Sequence, residues 1–224
     1  MSRRPSSPSP DALPGSVRII GGRWRGTKLE VPAAPGLRPT GDRVRETVFN
    51  WLQPVLPGAR VLDLFAGSGV LGLEAVSRGA REAVLVERDP ALAEGLRGAV
   101  ERLRAADQVR VVRADAIAWL RAPLAGRFDV VFLDPPFAAG LWPQAFAALP
   151  AWLAEDAWLY VEAPAEAAVG TGAAAAIDPG GGFRLHREGR TRQTRYMLYR
   201  RVRPGSGAAT LAAAPTAHGD IPDA

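Results

Sequence analysis

The chain has 224 residues, of which 47% are hydrophobic and 23% are charged, as in a soluble globular protein with one sizeable core. It has no cysteine and two widely separated histidines, His186 and His218, which excludes disulfides and thiolate metal sites and argues against a histidine metal cluster. No apolar run approaches the roughly 20 residues of a membrane span, and Arg3 and Arg4 precede Ser and Pro instead of an apolar signal segment. We therefore expect a cytoplasmic protein without metal or membrane partners, and nothing demands more than a monomer.

The net charge of +5 is unevenly distributed along the chain. Residues 1–60 hold ten Lys and Arg against four Asp and Glu, residues 61–183 hold ten against 16, and residues 184–203 hold eight against one. A high-arginine proteome would explain why Lys28 is the only lysine, but not why two basic regions flank an acidic centre. This distribution favours a polyanion partner over a merely solvated surface.

The N-terminal part predicts a hairpin with a basic tip. Residues 1–14, like residues 204–224, have few apolar anchors and are expected to be disordered. Residues 17–20 and 28–31 have strand patterns, and the glycine-rich segment between them predicts a turn. Its arginines suit phosphates, whereas Trp24 has two open interpretations: stacking on a base, or anchoring the hairpin on the core.

A helix is predicted after the hairpin, running from residue 42 to about Leu52. Residues 37–40 form an extended entry segment, and Asp42 or Thr40 is the expected cap. The predicted buried stripe comprises Val44, Val48, Trp51 and Leu52, and the residues predicted to lie off it are Arg43, Arg45 and Glu46.

From residue 59 the pattern alternates between strands and helices. Strands are predicted at 60–64, 83–87, 109–113, 128–133 and 157–162, and helices at 69–78, 90–104, 116–121 and 142–153. Apolar strands alternating with helices indicate an α/β fold whose parallel sheet is covered on both faces, with ligands at the carboxyl ends of the strands. Residues 183–188 and 192–200 predict a final antiparallel hairpin. We divide the chain into an N-terminal extension, 15–58, and a main domain, 59–203.

The first motif is a glycine-rich turn after an apolar strand. Gly67, Gly69 and Gly72 form G-x-G-x-x-G, which lets the backbone approach a ligand closely at a helix N-terminus. The motif alone fits dinucleotide binders, S-adenosylmethionine (AdoMet) binders and ordinary strand-to-helix turns equally well.

Acidic residues at strand ends favour AdoMet. Asp63 can accept from the ammonium of a bound amino acid but would repel a pyrophosphate. Glu87 suits ribose hydroxyls, and Asp115 suits the adenine amino group, capping a helix at the same time. The predicted cofactor-binding residues are Asp63, Phe65, Ala66, Gly67, Ser68, Gly69, Glu87, Arg88, Asp115 and Ala116.

The second motif, Asp134-Pro135-Pro136-Phe137, ends a buried strand. An exocyclic amino group on a nucleobase is a poor nucleophile, because its lone pair is delocalised into the ring. The Asp134 carboxylate and the Pro135 carbonyl can accept its N–H groups, while the prolines stiffen the turn and Phe137 stacks on the base. These four residues are the predicted catalytic residues, and a base within a helix would first have to be flipped out.

With these residues, the chain resembles the bacterial methyltransferases that modify a guanine 2-amino group in 16S rRNA of the small ribosomal subunit. The resemblance covers roughly residues 17–201. It is carried by Arg18-Ile19-Ile20-Gly21-Gly22-Arg23-Trp24-Arg25-Gly26, by Leu37-Arg38-Pro39-Thr40 with the helix that follows, by Phe65-Ala66-Gly67-Ser68-Gly69, by Asp134-Pro135-Pro136-Phe137 and by Leu185-His186-Arg187-Glu188.

The resemblance implies a Rossmann-like fold with a seven-stranded, mostly parallel sheet, AdoMet as cofactor, and an N-terminal hairpin that grips 16S rRNA in the small subunit or its assembly intermediate. It leaves open whether Thr40 and Arg43 approach the cofactor or the RNA. The residues expected to contact RNA are Arg18, Arg23, Trp24, Arg25, Lys28, Arg38, Thr40, Arg43 and Arg45.

Three alternatives are weighed against this interpretation. An adenine-amino methyltransferase on RNA or DNA is compatible with the second motif, although the chain lacks a large target-recognition region. A non-catalytic rRNA-binding assembly factor would not need an intact Asp134 motif and Glu87. A nicotinamide dehydrogenase is disfavoured by Asp63 and by the strand that ends in Asp134.

Overall fold

A computed structural model describes residues 15–31, 41–122, 126–165, 177–180 and 182–202. The ends predicted to be disordered lie outside these ranges, as do two of the expected RNA-contacting residues, Arg38 and Thr40. No helix within the described ranges is long and apolar enough to cross a membrane.

The elements alternate as the sequence pattern indicates. The strands are β1 (Gly15–Arg18), β2 (Lys28–Val31), β3 (Arg60–Asp63), β4 (Glu82–Glu87), β5 (Val109–Arg113), β6 (Phe128–Leu133), β7 (Leu153–Pro164), β8 (Phe183–Arg190) and β9 (Thr194–Arg201). The α-helices are α1 (Asp42–Leu52), α2 (Val70–Ser77), α3 (Pro90–Arg102), α4 (Ala116–Leu120) and α5 (Trp142–Ala148), and two short 3-10 helices span Phe137–Ala139 and Leu149–Trp152.

The main sheet has seven strands in the order β5-β4-β3-β6-β7-β9-β8. Strands β3 to β7 are parallel, and β9 is antiparallel to both of its neighbours. This confirms the predicted seven-stranded, mostly parallel α/β fold. We call the side where the parallel strands end the carboxyl end of the sheet, and the side where they begin the amino end.

Helices and the hairpin cover the two faces of this sheet. On one face, α1, α2 and α3 pack with the β1–β2 hairpin around buried residues such as Ile19, Leu29 and Phe49. On the other face, α4 and α5 pack around residues that include Trp152. Coverage on both faces explains why the central strands are continuous apolar runs instead of alternating ones.

Several predicted boundaries differ from the structure: β1 is Gly15–Arg18 instead of 17–20, and β7 begins at Leu153 instead of 157. The helix predicted to reach residue 153 ends at Ala148, continues as a 3-10 turn, and gives way to β7 at Leu153. Pro150 lies within that turn and has no backbone N–H to continue the α-helical bonds. The predicted cap of α1, Asp42 or Thr40, is also wrong, because Gly41 is the capping residue and Asp42 is the first helical residue.

The N-terminal hairpin is anchored at the end of α2. Strands β1 and β2 pair antiparallel, and the backbone N–H groups of Arg23 and Trp24 donate to the carbonyl and hydroxyl oxygens of Ser77 at 2.9 Å each. Gly22 has a φ of +74°, and a Cβ there would overlap the Ser77 carbonyl, so only glycine permits this contact. Since α2 ends at Ser77, the hairpin tip lies at the amino end of the sheet.

Candidate active site

Two carboxylates at the carboxyl end of the sheet are held by backbone amides. The Gly72 N–H donates to Asp63 at 3.0 Å, and the Gly67 N–H donates to Glu87 at 2.8 Å. Glu87 also accepts from the Asp89 N–H at 2.7 Å. Both acids are buried, and they end the neighbouring strands β3 and β4. The turn between β3 and α2 is therefore fixed from both sides by the acids that the sequence assigned to cofactor binding.

Gly69 makes the close approach in this turn possible. It caps α2 with a φ of +70°, a region that side chains rarely adopt, and a Cβ there would overlap the Leu96 side chain. The first turn of α2 therefore begins at the carboxyl end of the sheet, where the Gly72 N–H is bound by Asp63 and the Val70 N–H contacts the Ser68 hydroxyl at 3.4 Å. A helix N-terminus in this position favours a negatively charged group.

The environment of Asp63 changes its acidity. Burial raises the pKa of Asp63 to about 7, the Gly72 N–H opposes that rise, and the nearby Glu87 carboxylate adds to it. A positively charged ligand group beside Asp63 would compensate both the lost hydration and the repulsion from Glu87. An ammonium beside Asp63 would therefore lower the pKa of Asp63 and stabilise its charged form.

The remaining predicted cofactor residues surround the same end of the sheet. Asp115 follows β5, caps α4 and accepts from the Ala118 N–H at 2.9 Å, so its predicted capping role is confirmed. Ala116 is buried behind it, and Ala66 donates its N–H to the carbonyl oxygen of Val86 at 3.0 Å. The other members of the set are the half-buried Phe65 and Ser68 and the exposed Arg88.

The Asp134 motif leaves the same end of the sheet from β6, next to β3. Asp134 is half-buried, Pro135 is buried, and Pro136 caps the 3-10 helix Phe137–Ala139. Phe137 is 38% exposed, and its ring centroid lies 6.0 Å from that of Trp142. An exposed aromatic ring on a stiff turn beside a carboxylate can receive a flat base.

A further acid, Glu162, lies beside Asp134 and was missed by the sequence reasoning. Leu133 of β6 is opposite Val161 of β7, so Asp134 and Glu162 are the next residues on adjacent strands. Glu162 is buried and accepts from the Tyr160 hydroxyl at 3.2 Å. The signal was available, because β7 is an apolar run that meets an acid near its end, as β3 and β4 do.

The Tyr160 phenol interacts electrostatically with both Glu162 and Asp134. Burial raises the pKa of Tyr160 well above its usual value, and the carboxylates of Glu162 and Asp134 raise it further. The phenol is therefore a permanent hydrogen-bond donor at neutral pH. It packs edge-on against Phe132, with ring centroids 5.9 Å apart, which fixes its position behind the candidate acceptor site.

The hairpin residues that are expected to contact RNA lie away from Asp134. The hairpin tip is at the amino end, where the Arg23 guanidinium donates to Gln108, the residue before β5. Trp24 packs against the core beneath that guanidinium, 4.1 Å from the ring centroid, which favours its anchoring role. Arg25 is exposed at the same tip.

The prediction that Arg45 contacts RNA is wrong. Its side chain is fully buried, and its guanidinium binds the buried Glu74 at 2.9 Å and Asp42 at 2.6 Å. The helical spacing of apolar residues placed Arg45 off the buried stripe, but α2 brings a carboxylate to it. Arg43, which was also predicted to lie off the stripe, is exposed. Trp51, which was predicted to be buried, is half-buried, and Phe49, which was not in the predicted stripe, is fully buried.

The donors and acceptors at the carboxyl end fit AdoMet better than a dinucleotide. Asp63 is a buried carboxylate with a raised pKa, which suits an ammonium and opposes a pyrophosphate. Glu87 and Asp115 lie at the ends of the next two strands, on the same side of the sheet. No group of three or more residues with metal-ligating side chains occurs in the part of the chain that the structure describes.

Comparison with known proteins identifies a matching family model and a similar protein. The family model described as "Conserved hypothetical protein 95" matches residues 17–200. Ribosomal RNA small subunit methyltransferase D of Escherichia coli (strain K12) is 47% identical over 193 residues, covering 85% of this chain and 93% of that protein.

Two solved structures extend this comparison to the fold. The yhhF protein from Escherichia coli matches with a TM-score of 0.72 and 46% identity, covering 84% of this chain and 98% of that one. The HI0767 protein from Haemophilus influenzae matches with a TM-score of 0.68 and 38% identity, covering 84% and 99%. With the family model spanning both the hairpin and the catalytic motif, the chain belongs to the family of ribosomal RNA small subunit methyltransferase D.

Proposed function

We propose that this protein transfers a methyl group from AdoMet to the exocyclic 2-amino group of a guanine in 16S rRNA of the small ribosomal subunit. The observation that carries the proposal is the position of Asp134-Pro135-Pro136-Phe137 directly after β6, which pairs with β3, the strand before the glycine turn. Membership of a family whose relative is named for small-subunit rRNA methylation supports the substrate.

The cofactor side would be formed by acids and backbone amides. Asp63 would bind the ammonium of AdoMet, the first turn of α2 its carboxylate, Glu87 the ribose hydroxyls and Asp115 the adenine amino group. When bound, AdoMet supplies a methyl group on a sulfonium. Burial of Asp63 and Glu87 supports this division, because a buried carboxylate is stabilised by a ligand that donates to it.

The acceptor side would orient the guanine. The Asp134 carboxylate and the Pro135 carbonyl would accept the two N–H groups of the amino nitrogen and turn its lone pair toward the methyl group. As the nitrogen–carbon bond forms and the sulfur–carbon bond breaks, the nitrogen loses one proton, to Asp134 or to water. Phe137 would stack on the base, and this alignment accounts for much of the rate enhancement.

The hairpin would contribute a more distant contact with the subunit. Arg18 lies directly opposite Lys28 in the hairpin register, and both are exposed. Like charges in this arrangement destabilise a hairpin and are compensated by a bound polyanion. Together with Arg25, these residues would bind phosphates at the amino end of the sheet, away from the target base.

The test is methyl transfer from labelled AdoMet to small subunits that lack the modification, followed by nucleoside analysis. We expect 2-methylguanosine in 16S rRNA. Methyladenosine would contradict the proposed base and favour an adenine-amino methyltransferase. Tight subunit binding without transfer would contradict catalysis and favour an assembly factor. Calorimetric titration with AdoMet, with NADH as the control, checks the cofactor separately.

A further inference from the structure

The turn between β8 and β9 lies at the carboxyl end of the sheet, on the same side as Asp134. Thr194, the first residue of β9, is opposite Pro164, the last residue of β7. The Ala165 N–H donates to the Gln193 carbonyl at 3.0 Å, which holds the turn against the chain just beyond β7. Because β7 is the neighbour of β6, the turn flanks the candidate acceptor site.

This turn carries three arginines, Arg190, Arg192 and Arg195. Arg190 is directly opposite Arg195 across the hairpin. Glu188 pairs with Arg195 at 2.6 Å. Like charges directly opposite each other destabilise a strand pair, and a bound anion would offset this repulsion.

The side chains nearest the turn are accessible. Arg190 and Arg192 are exposed, and Arg195 is half-buried. The turn itself is held by bonds from the Gln193 and Thr194 N–H groups to the Thr191 hydroxyl, at 3.2 and 3.0 Å. The arginines therefore project from a well-defined backbone, which reduces the entropy lost when they bind a ligand.

The turn lies close enough to Asp134 for one nucleic acid strand to contact both. Adjacent strands are about 4.8 Å apart, so Arg195 on β9 lies about 10 Å from β6 and Arg190 on β8 about 15 Å from it. The hairpin tip is separated from Asp134 by the length of the sheet, roughly 20 Å for a six-residue strand. The turn, and not the tip, is thus close enough to contact the nucleotides next to the target.

We propose that the arginine turn, residues 190–195, binds the RNA phosphates that flank the methylated nucleotide and so positions the base at Asp134. This inference rests on the proposed function, because it takes RNA as the substrate. The chemistry is that of phosphate binding by guanidinium groups, which fixes position without reading sequence.

The experiment compares unmodified small subunits bound by the unaltered protein and by the Arg190→Gln/Arg192→Gln double variant. Each lost phosphate contact lowers the slope of log affinity against log salt by about 0.7–0.9, so we expect a total decrease of about 1.4–1.8. The affinity difference between the two proteins should therefore shrink roughly tenfold between 50 and 200 mM salt. The kcat/KM for methyl transfer should fall in parallel, while AdoMet affinity is unchanged.

A matched control removes the same charge elsewhere. Arg102 at the end of α3 and Arg110 on the opposite outer strand β5 are both exposed, and the Arg102→Gln/Arg110→Gln variant should keep the original slope. An equal loss in both double variants, or an unchanged slope in Arg190→Gln/Arg192→Gln, would overturn the inference. The Arg190→Lys/Arg192→Lys variant should retain most of the slope, because lysine keeps the charge.

Failure of the proposed function would look different. In that case the unaltered protein would yield no 2-methylguanosine, whatever its salt dependence. The arginine turn is refuted by a different result, in which the unaltered protein methylates the subunit and the double variant methylates and binds it equally well.

Discussion

The two ends of the main sheet differ in how they carry charge. At the carboxyl end, Asp63 and Glu87 are buried acids held by backbone amides. At the amino end, the hairpin tip presents Arg25 and the stacked pair of Arg23 and Trp24. The acids belong to strand ends, where every parallel sheet forms its crevice, whereas the arginines belong to an added hairpin. The buried acids and the exposed basic side chains of the hairpin are therefore supplied by different parts of the chain.

Helix α2 joins these two ends. It begins after Gly69 in the candidate cofactor turn and ends at Ser77 beneath the hairpin tip. In its middle, the buried Glu74 accepts from the Arg45 guanidinium at 2.9 Å, from Arg78 at 2.7 Å and from the Ile20 N–H at 3.3 Å. One carboxylate thus holds α1, α2 and the hairpin in a single arrangement.

The largest expected effect distinguishes the acceptor side of the candidate site, at Asp134, from its cofactor side, at the glycine turn. Replacing Asp134 with Ala should lower the rate of methyl transfer by at least about 10³-fold, because the amino group loses an aligned charged acceptor. AdoMet affinity, measured by calorimetry, should change little, since Asp134 follows β6 and the glycine turn follows β3. Retained transfer in this variant would refute the assigned mechanism.

The next effect concerns the connection between the two ends. Replacing Glu74 with Gln leaves Arg45 buried without its full countercharge and should lower the free energy of unfolding by roughly 3–5 kcal/mol. Chemical denaturation measures this loss. The exposed pair of Arg97 and Glu94 is the control, and Glu94→Gln should cost less than about 1 kcal/mol. Similar losses in both variants would show that Glu74 has no special connecting role.

The third effect tests the buried acid of the cofactor side through pH. The pKa of Asp63 is raised from 3.8 to about 7, so the folded state holds a proton that the unfolded chain has lost. Stability from this group is therefore full below about pH 4 and declines as pH rises to about 7, by on the order of 4 kcal/mol. Asp63→Asn should remove that decline in thermal melts, whereas Asp107→Asn, at an exposed position, should not.

The same group should make cofactor binding depend on pH. An ammonium beside Asp63 favours the carboxylate, so binding at low pH requires release of a proton. AdoMet affinity should therefore weaken by up to about tenfold for each pH unit below 7 and level off above it. Calorimetry across pH 5.5–8.5 measures this dependence. A flat profile would argue against the ammonium contact.

The smallest effect sharpens the comparison between the two ends. The Arg23→Gln/Arg25→Gln variant should bind intact small subunits with a salt slope lower by about 1–2. It should bind a short RNA that carries only the target region as well as the unaltered protein does. The arginine-turn variant should be impaired on both substrates. If the two variants bind the short RNA with equal affinity, the turn is not a nearer contact to the target than the hairpin tip.

The sequence pattern was most informative where local rules and tertiary structure agree. Apolar runs that end in Asp63, Glu87 and Asp134 predicted parallel strands, and the glycine spacing predicted the turn at Gly69. These features follow from chain connectivity, because the carboxyl ends of parallel strands meet at one side. The same reasoning would have included Glu162, had the apolar run of β7 been treated as the others were.

Helical periodicity failed at Arg45 because it ranks residues by polarity. A buried arginine is compatible with a core when a carboxylate on another element meets it, and Glu74 lies 29 residues away. Trp24 was ambiguous for a similar reason, since a large aromatic residue with a polar edge suits either a base or a core. In both cases the deciding partner is distant in sequence.

By itself, the sequence determined the α/β class, the alternation of strands and helices, and the positions of the glycine-rich turn and of Asp134-Pro135-Pro136-Phe137 at strand ends, because periodicity and turn chemistry are local properties. Only the tertiary structure decided where the two basic regions lie. Docking against Ser77 directs the hairpin tip to the amino end, while antiparallel pairing of β9 with β7 brings the 190–195 turn to the carboxyl end beside Asp134. Such positions depend on long-range packing and strand pairing. The charge pattern along the chain does not indicate either of them.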